Sequence, residues 1–177
     1  MFDLPLHPAL VHLPLAFVFF GPLLGVAMLR AGLKGGEDSE NRRRGLWRYV
    51  VIRIFVQSLA VYATMVTGER DSDVVIAHFE ESEPPIATLV GSHEDAATWL
   101  LLVSLGSLLL SFMALKPGPQ SRTLSLATIA VQTLALACAV YTAKLGGELV
   151  YRHGAAEAHL ETQPPADQDQ SRTPAAP

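Results

Sequence analysis

"HPALVHLPLAFVFFGPLLGVAML", residues 7–29, contains no Asp, Glu, Lys or Arg. About 20 such residues in a helix cross the roughly 30 Å of hydrocarbon in a bilayer. The stretch therefore reads as a membrane span. Its opening is odd for one: His7 and His12 bring two imidazoles, and Pro8 and Pro14 bring two imino acids. Pro8 suits the first turn of a helix. Pro14 lacks a backbone donor and presses on the carbonyl of Leu10, so a kink is expected beside His12. Pro22, after Gly21, can bend the same helix again.

Composition supports the membrane reading. Half of the 177 residues are hydrophobic and 17% are charged, against roughly a quarter in soluble proteins. Three further apolar segments follow: about Trp47–Thr67, Ala96–Leu115 and Leu124–Leu145. Backbone in lipid must bond to itself, so helices are expected. The fold class is all-α, a four-helix antiparallel transmembrane bundle over residues 1–155. Residues 156–177, rich in Pro, Gln, Asp and Ala, read as a disordered polar tail. "MFDLPL" carries no positive charge, so the first segment reads as a span and not as a secretion signal.

Basic residues orient the bundle. Arg30, Lys34, Arg42, Arg43, Arg44 and Arg48 follow the first span; Lys116 and Arg122 follow the third. Both connections should be cytoplasmic. The connection after the second span holds Glu69, Asp71, Asp73, Glu80, Glu81, Glu83, Glu94 and Asp95 against Arg70 alone. It should lie outside, together with both termini. Arg53 falls near the cytoplasmic end of the second span, where it can snorkel; a functional buried charge is the alternative.

That topology gathers the six histidines on one face. His7 and His12 open the first span, His78 and His93 flank the acidic connection, and His153 and His159 follow the fourth span. His93 is expected to start the third span, with Ser92 as its cap and Asp95 in its first turn. His12 and His93 then lie at similar depth and can face each other. A histidine within a span is costly and usually has a partner in the bundle interior; a packing role is the alternative for His12. Imidazole ligates haem iron, zinc and copper. Two facing histidines can bracket a haem. Several at a wet surface, with Glu69, Asp71, Asp73 or Glu94 beside them, can hold a metal ion.

Other chemistries lack their residues. The single cysteine, Cys138, excludes an internal disulfide and covalent haem attachment through two thiols. "HE" at residues 93 and 94 is too short for a metalloprotease motif. No basic patch points to nucleic acid, and "LKGGEDSE" is no phosphate loop. Lys144 and Glu148 are spaced to pair on one helix face.

Three stretches resemble a known family, the "domain of unknown function 2231" proteins of bacterial membranes. "HPALVHLP" is similar to its HPxxVHFP opening, with Leu13 in place of Phe. "LGGELVYRHG" is similar to its ending, matching Gly146, Gly147, Tyr151, His153 and Gly154. "TGERDSDVVIAHF" and "GSHEDAATW" resemble a branch with an acidic middle. The resemblance runs from residue 5 to about 155. It implies a multi-pass protein of the bacterial inner membrane with four helices, and no established activity. Some relatives are joined to Rieske-type or cytochrome c domains, which suits electron transfer.

The expectation is a membrane redox protein, an electron-transfer or binding protein more than a stand-alone enzyme. It would hold a non-covalent haem b near the outer face through His12 and His93, with His7 and His78 as substitutes or neighbours. Its partners would be the lipid bilayer and a quinol or other membrane redox protein. The alternatives are a copper or zinc binding or transport module using His12 and His93, and a cofactor-free scaffold subunit.

Overall fold

A computed structural model describes residues 6–33, 39–79 and 86–158. His159, Glu80, Glu81, Glu83 and the tail from 159 onward lie outside the described residues. The elements are α1 (His7–Leu10), α2 (His12–Leu33), α3 (Ser39–His78), α4 (Ile86–Met113) and α5 (Ser121–His153). Among the described residues four stretches are long and apolar enough to cross a membrane: His7–Gly32, Ser39–His78, Ile86–Met113 and Ser121–His153. α1 and α2 together form the first of these, interrupted at Val11. The interruption sits one turn before Pro14, where the proline ring crowds the preceding backbone.

Two boundaries differ from the sequence expectation. α3 does not stop at Thr67 but continues to His78, and α4 begins ten residues before Ala96, at Ile86. The acidic stretch "ERDSDVVIAH" is too polar for hydrocarbon, yet it contains no proline or glycine to stop a helix. With 40 residues, α3 is about 60 Å long, twice the thickness of the hydrocarbon layer. His93 is therefore two turns inside α4. Ser92 bonds back to the Thr88 carbonyl at 2.9 Å and caps nothing.

α2 packs on α3 and α5, and α4 packs on the same two helices; the diagonal α3 and α5 meet through the long side chains of Arg43 and Arg53. Large apolar side chains such as Phe19, Phe20, Ile52, Phe55, Leu105 and Leu109 point outward. Small and hydroxyl residues point inward. On α4 these are Ala96, Ser104, Ser107 and Ser111; on α5 they are Ser121, Ser125, Thr128, Ala135 and Ala139. The spacing of three and four keeps them on one helix face. Small interior residues let helices approach when lipid is as apolar as the core.

The interior is layered along the bundle. At the arginine end, Leu29, Trp47, Val50, Val51, Ile54 and Ala114 form one cluster. The buried Arg43 crosses to the end of α4, donating to the Ala114 carbonyl at 3.3 and 3.4 Å and to Ser125 Oγ at 3.3 Å. Beside it, Trp47 Nε1 donates to the Ser111 carbonyl at 3.2 Å. Next comes a polar layer around Arg53. A second apolar layer of Val18, Val61, Leu100, Ala135 and Ala139 follows. Beyond it lie His7 and His93.

The histidine end is closed by Val75, Ile86, Val90, Leu149, Ala155 and Ala158. Gly154, at φ 67°, turns the chain out of α5 so that the Ala155 N–H reaches the Leu149 carbonyl at 3.1 Å. Ala155 and Ala158 thus pack over the bundle end, while Ala156 and Glu157 stay exposed.

Candidate functional site

His7 is carried by α1 onto α3. Its Nδ1 lies 2.9 Å from the Thr64 carbonyl oxygen. His93 is carried by α4 onto α5, and its Nδ1 lies 3.0 Å from the Thr142 carbonyl oxygen. A carbonyl oxygen has no proton to give, so each Nδ1–H is the donor. In a neutral imidazole the lone pair then resides on Nε2. This is how metal-ligating histidines are usually oriented, by a hydrogen bond from the nitrogen that does not ligate.

Thr64 and Thr142 can accept these bonds because of what stands four residues later. A helical side chain covers the turn preceding it, where the carbonyl of residue i−4 sits. Gly68 follows Thr64 and Gly146 follows Thr142. A Cβ on Gly68 would meet His7 Cε1 at 2.9 Å; one on Gly146 would meet His93 Cε1 at 3.1 Å. The same unit, a histidine against a Thr-x-x-x-Gly turn of the next helix, is therefore built twice. The two rings face each other edge to face, with centroids 6.4 Å apart and planes at 84°.

His12 does not join them. It is exposed, and its Nδ1 bonds back to the Pro8 carbonyl at 3.0 Å. The ring opposite His93 is that of His7, because a short first helix turns His7 inward and leaves His12 on the outer surface. His78 ends α3, ten residues beyond Gly68, and stacks edge to face on Phe79 at 4.6 Å. His153 ends α5 in the turn that closes the bundle. Among the described residues no group of three or more His, Cys, Asp and Glu side chains is placed to hold a metal ion. The site is a pair of nitrogen donors, and Glu69, Asp73 and Glu94 are exposed. Glu148 pairs with Arg152 at 3.0 Å and not with Lys144.

A second polar centre lies deeper. Arg53 does not snorkel to the membrane edge. Its Nη1 donates to the Phe17 carbonyl at 2.8 Å and to Gln57 Oε1 at 2.9 Å; its Nη2 donates to Gln132 Oε1 at 2.9 Å. Gln57 and Gln132 are held by bonds from their Nε2 atoms to Ser104 Oγ at 3.0 Å and Ser107 Oγ at 2.8 Å. Gly21 makes room, since a Cβ there would stand 2.6 Å from Nη1. Every partner of the guanidinium is a neutral oxygen. Sequence reading missed this layer, as well as Thr64, Thr142 and Gly68. The repeated Thr-x-x-x-Gly spacing at Thr64 and Thr142 was the available signal.

The family model of predicted membrane proteins called DUF2231 matches residues 3–159. The chain belongs to the DUF2231 family. Its four apolar helices and the match over nearly all described residues agree on a multi-pass membrane domain. Neither a curated protein nor a solved structure matches this DUF2231 chain.

Proposed function

We propose that this DUF2231 domain is a membrane redox protein that holds a non-covalent b-type haem between His7 and His93. The observation that carries the reading is the paired imidazoles, each with Nδ1–H tied to a backbone carbonyl and their centroids 6.4 Å apart. With each Nδ1 engaged by a carbonyl, the Nε2 of each ring would be the atom to ligate an iron held between them. A donor set of two suits haem, whose other four ligands come from the porphyrin. Zinc or copper in an all-protein site asks for three or four.

When bound, the haem supplies a one-electron Fe(III)/Fe(II) couple. His7 and His93 would hold the iron through their Nε2 atoms. Thr64 and Thr142 fix the ring planes through their carbonyls. The apolar layers on either side, Val18, Val61 and Leu100 below and Val75, Ile86 and Val90 above, exclude water. In the bacterial inner membrane, the basic residues near Arg43 and Lys116 favour the cytoplasmic side for that end. The histidine end then faces the periplasm, where a quinol or membrane dehydrogenase would deliver electrons and a periplasmic protein would take them.

The test is the reduced-minus-oxidised absorption spectrum of protein purified from cells supplied with haem. Soret and alpha bands are expected in the native protein and in His12→Ala, and are expected to be lost in His7→Ala and His93→Ala. Absence of bands from the native protein sinks the proposal.

A further inference from the structure

Arg53 has no role in ligation, yet its guanidinium is turned into the bundle. A guanidinium within a span is retained only where it is paired or functional. Among the described residues Arg53 is not paired with an anion: its partners are the Phe17 carbonyl and the amide oxygens of Gln57 and Gln132, and its Nε is buried without a hydrogen-bond partner. The two glutamines are turned by Ser104 and Ser107 so that their oxygens, and not their amide protons, face the guanidinium. The layer solvates a positive charge and leaves it uncancelled.

The charge sits directly below the histidine pair. Eleven residues of α3 separate Arg53 from Thr64, which is about 16 Å of helix rise. The side chain leans towards Gln57, one turn nearer the pair. The space between is packed by Val61 on α3, Leu100 on α4, Ala135 and Ala139 on α5, and Val18 on α2, and the hydroxyl of the buried Ser58 is turned back to the Ile54 carbonyl. Packed side chains screen a field less than bulk water and salt do.

We infer that Arg53 sets the reduction potential of the couple held at His7 and His93, by placing an uncompensated positive charge about 15 Å below it through apolar packing. This rests on the haem reading. Adding an electron to the iron lowers its charge by one, and a nearby positive charge favours that state. At an effective dielectric constant of about 20, the Coulomb energy over this distance favours reduction about sixfold. For a one-electron couple, sixfold is about 45 mV at 59 mV per tenfold.

The experiment is an electrode-poised spectral titration of the purified haem protein. Arg53→Gln removes the charge. Gln132→Glu leaves Arg53 in place and cancels its charge with a carboxylate at the same hydrogen-bond position, which covers the case in which the first variant does not fold. Both are expected to lower the potential by about sixfold in the equilibrium constant, and Arg53→Lys is expected to stay within about twofold of native. The shifts should be the same at about 0.05 M and about 1 M salt. Native haem bands with unshifted potentials in Arg53→Gln and Gln132→Glu overturn this inference alone. A drop in Arg53→Lys as large as in Arg53→Gln also overturns it, since packing and not charge would then be the cause. Absence of haem bands from the native protein overturns the haem reading and this inference together.

Discussion

His7 and His93 meet edge to face across the bundle, with ring centroids 6.4 Å apart, and a glycine stands behind each ring. The glycines decide how far each imidazole can retreat towards the neighbouring helix. Gly68→Ala would place a methyl 2.9 Å from His7 Cε1, and Gly146→Ala would place one 3.1 Å from His93 Cε1. Both variants are expected to weaken haem retention in the absorption spectrum, Gly68→Ala more strongly. Gly91 and Gly147 are also helical, but nothing stands within 4 Å of their missing Cβ atoms. Alanine there should leave the spectrum unchanged and stabilise the helix by up to about 1 kcal/mol. Equal loss in all four variants would show that glycine at 68 and 146 has no special task.

The arginine end makes a separate prediction about stability. Arg43 is 2% exposed; it ties α3 to the Ala114 carbonyl just beyond α4 and to Ser125 of α5, and pairs with the exposed Glu40 at 2.8 Å. Arg43→Ala should cost about 2–3 kcal/mol, because these are charged, buried hydrogen bonds. Arg43→Lys should recover less than half, since one ammonium cannot span the fork that reaches both Ala114 and Glu40. Thermal unfolding in detergent, followed by circular dichroism, measures both. A loss confined to Glu40→Ala would assign the effect to the exposed ion pair instead.

Orientation is tested by labelling. In a Cys138→Ser background, Asn41→Cys should react with a membrane-impermeant maleimide only after the cells are opened. Asp73→Cys should react in intact cells. Both side chains are exposed at opposite ends of α3. The reverse pattern would put the histidine pair on the cytoplasmic side.

The polar layer predicts an unequal response to equal truncations. Gln57 is fully buried and joins Arg53 to Ser104. Gln57→Leu should cost about 2–3 kcal/mol, because two polar groups lose a buried partner. Phe55→Ala, on the lipid face of the same helix, should cost less, since a side chain in lipid buries little on folding. Detergent unfolding midpoints of the two variants decide it.

The four spans were legible because hydrocarbon imposes a length and a composition that few other environments demand. Their ends were not. Hydropathy registers where a helix leaves the bilayer, and α3 leaves it near Glu69 without ceasing to be a helix. That is why His93 proved to be interior to α4. The expectation that His12 faces His93 differs from the structure for a related reason. Depth was judged by counting from the start of the span, but the break at Val11 changes the direction in which the first turn points. Arg53 was placed at the edge because its partners, Phe17, Gln57 and Gln132, are remote in sequence or neutral in charge. No spacing rule joins an arginine to a backbone carbonyl 36 positions away.

The carbonyl anchors of the histidine pair have a consequence for how this site will respond to mutagenesis. Thr64 and Thr142 serve through atoms that every amino acid possesses. An alanine scan would pass over both without a signal, and a comparison of residue identities would give them no weight. What must be preserved is an absence of side chain one turn later, at Gly68 and Gly146. The scan that finds this site is one that adds atoms.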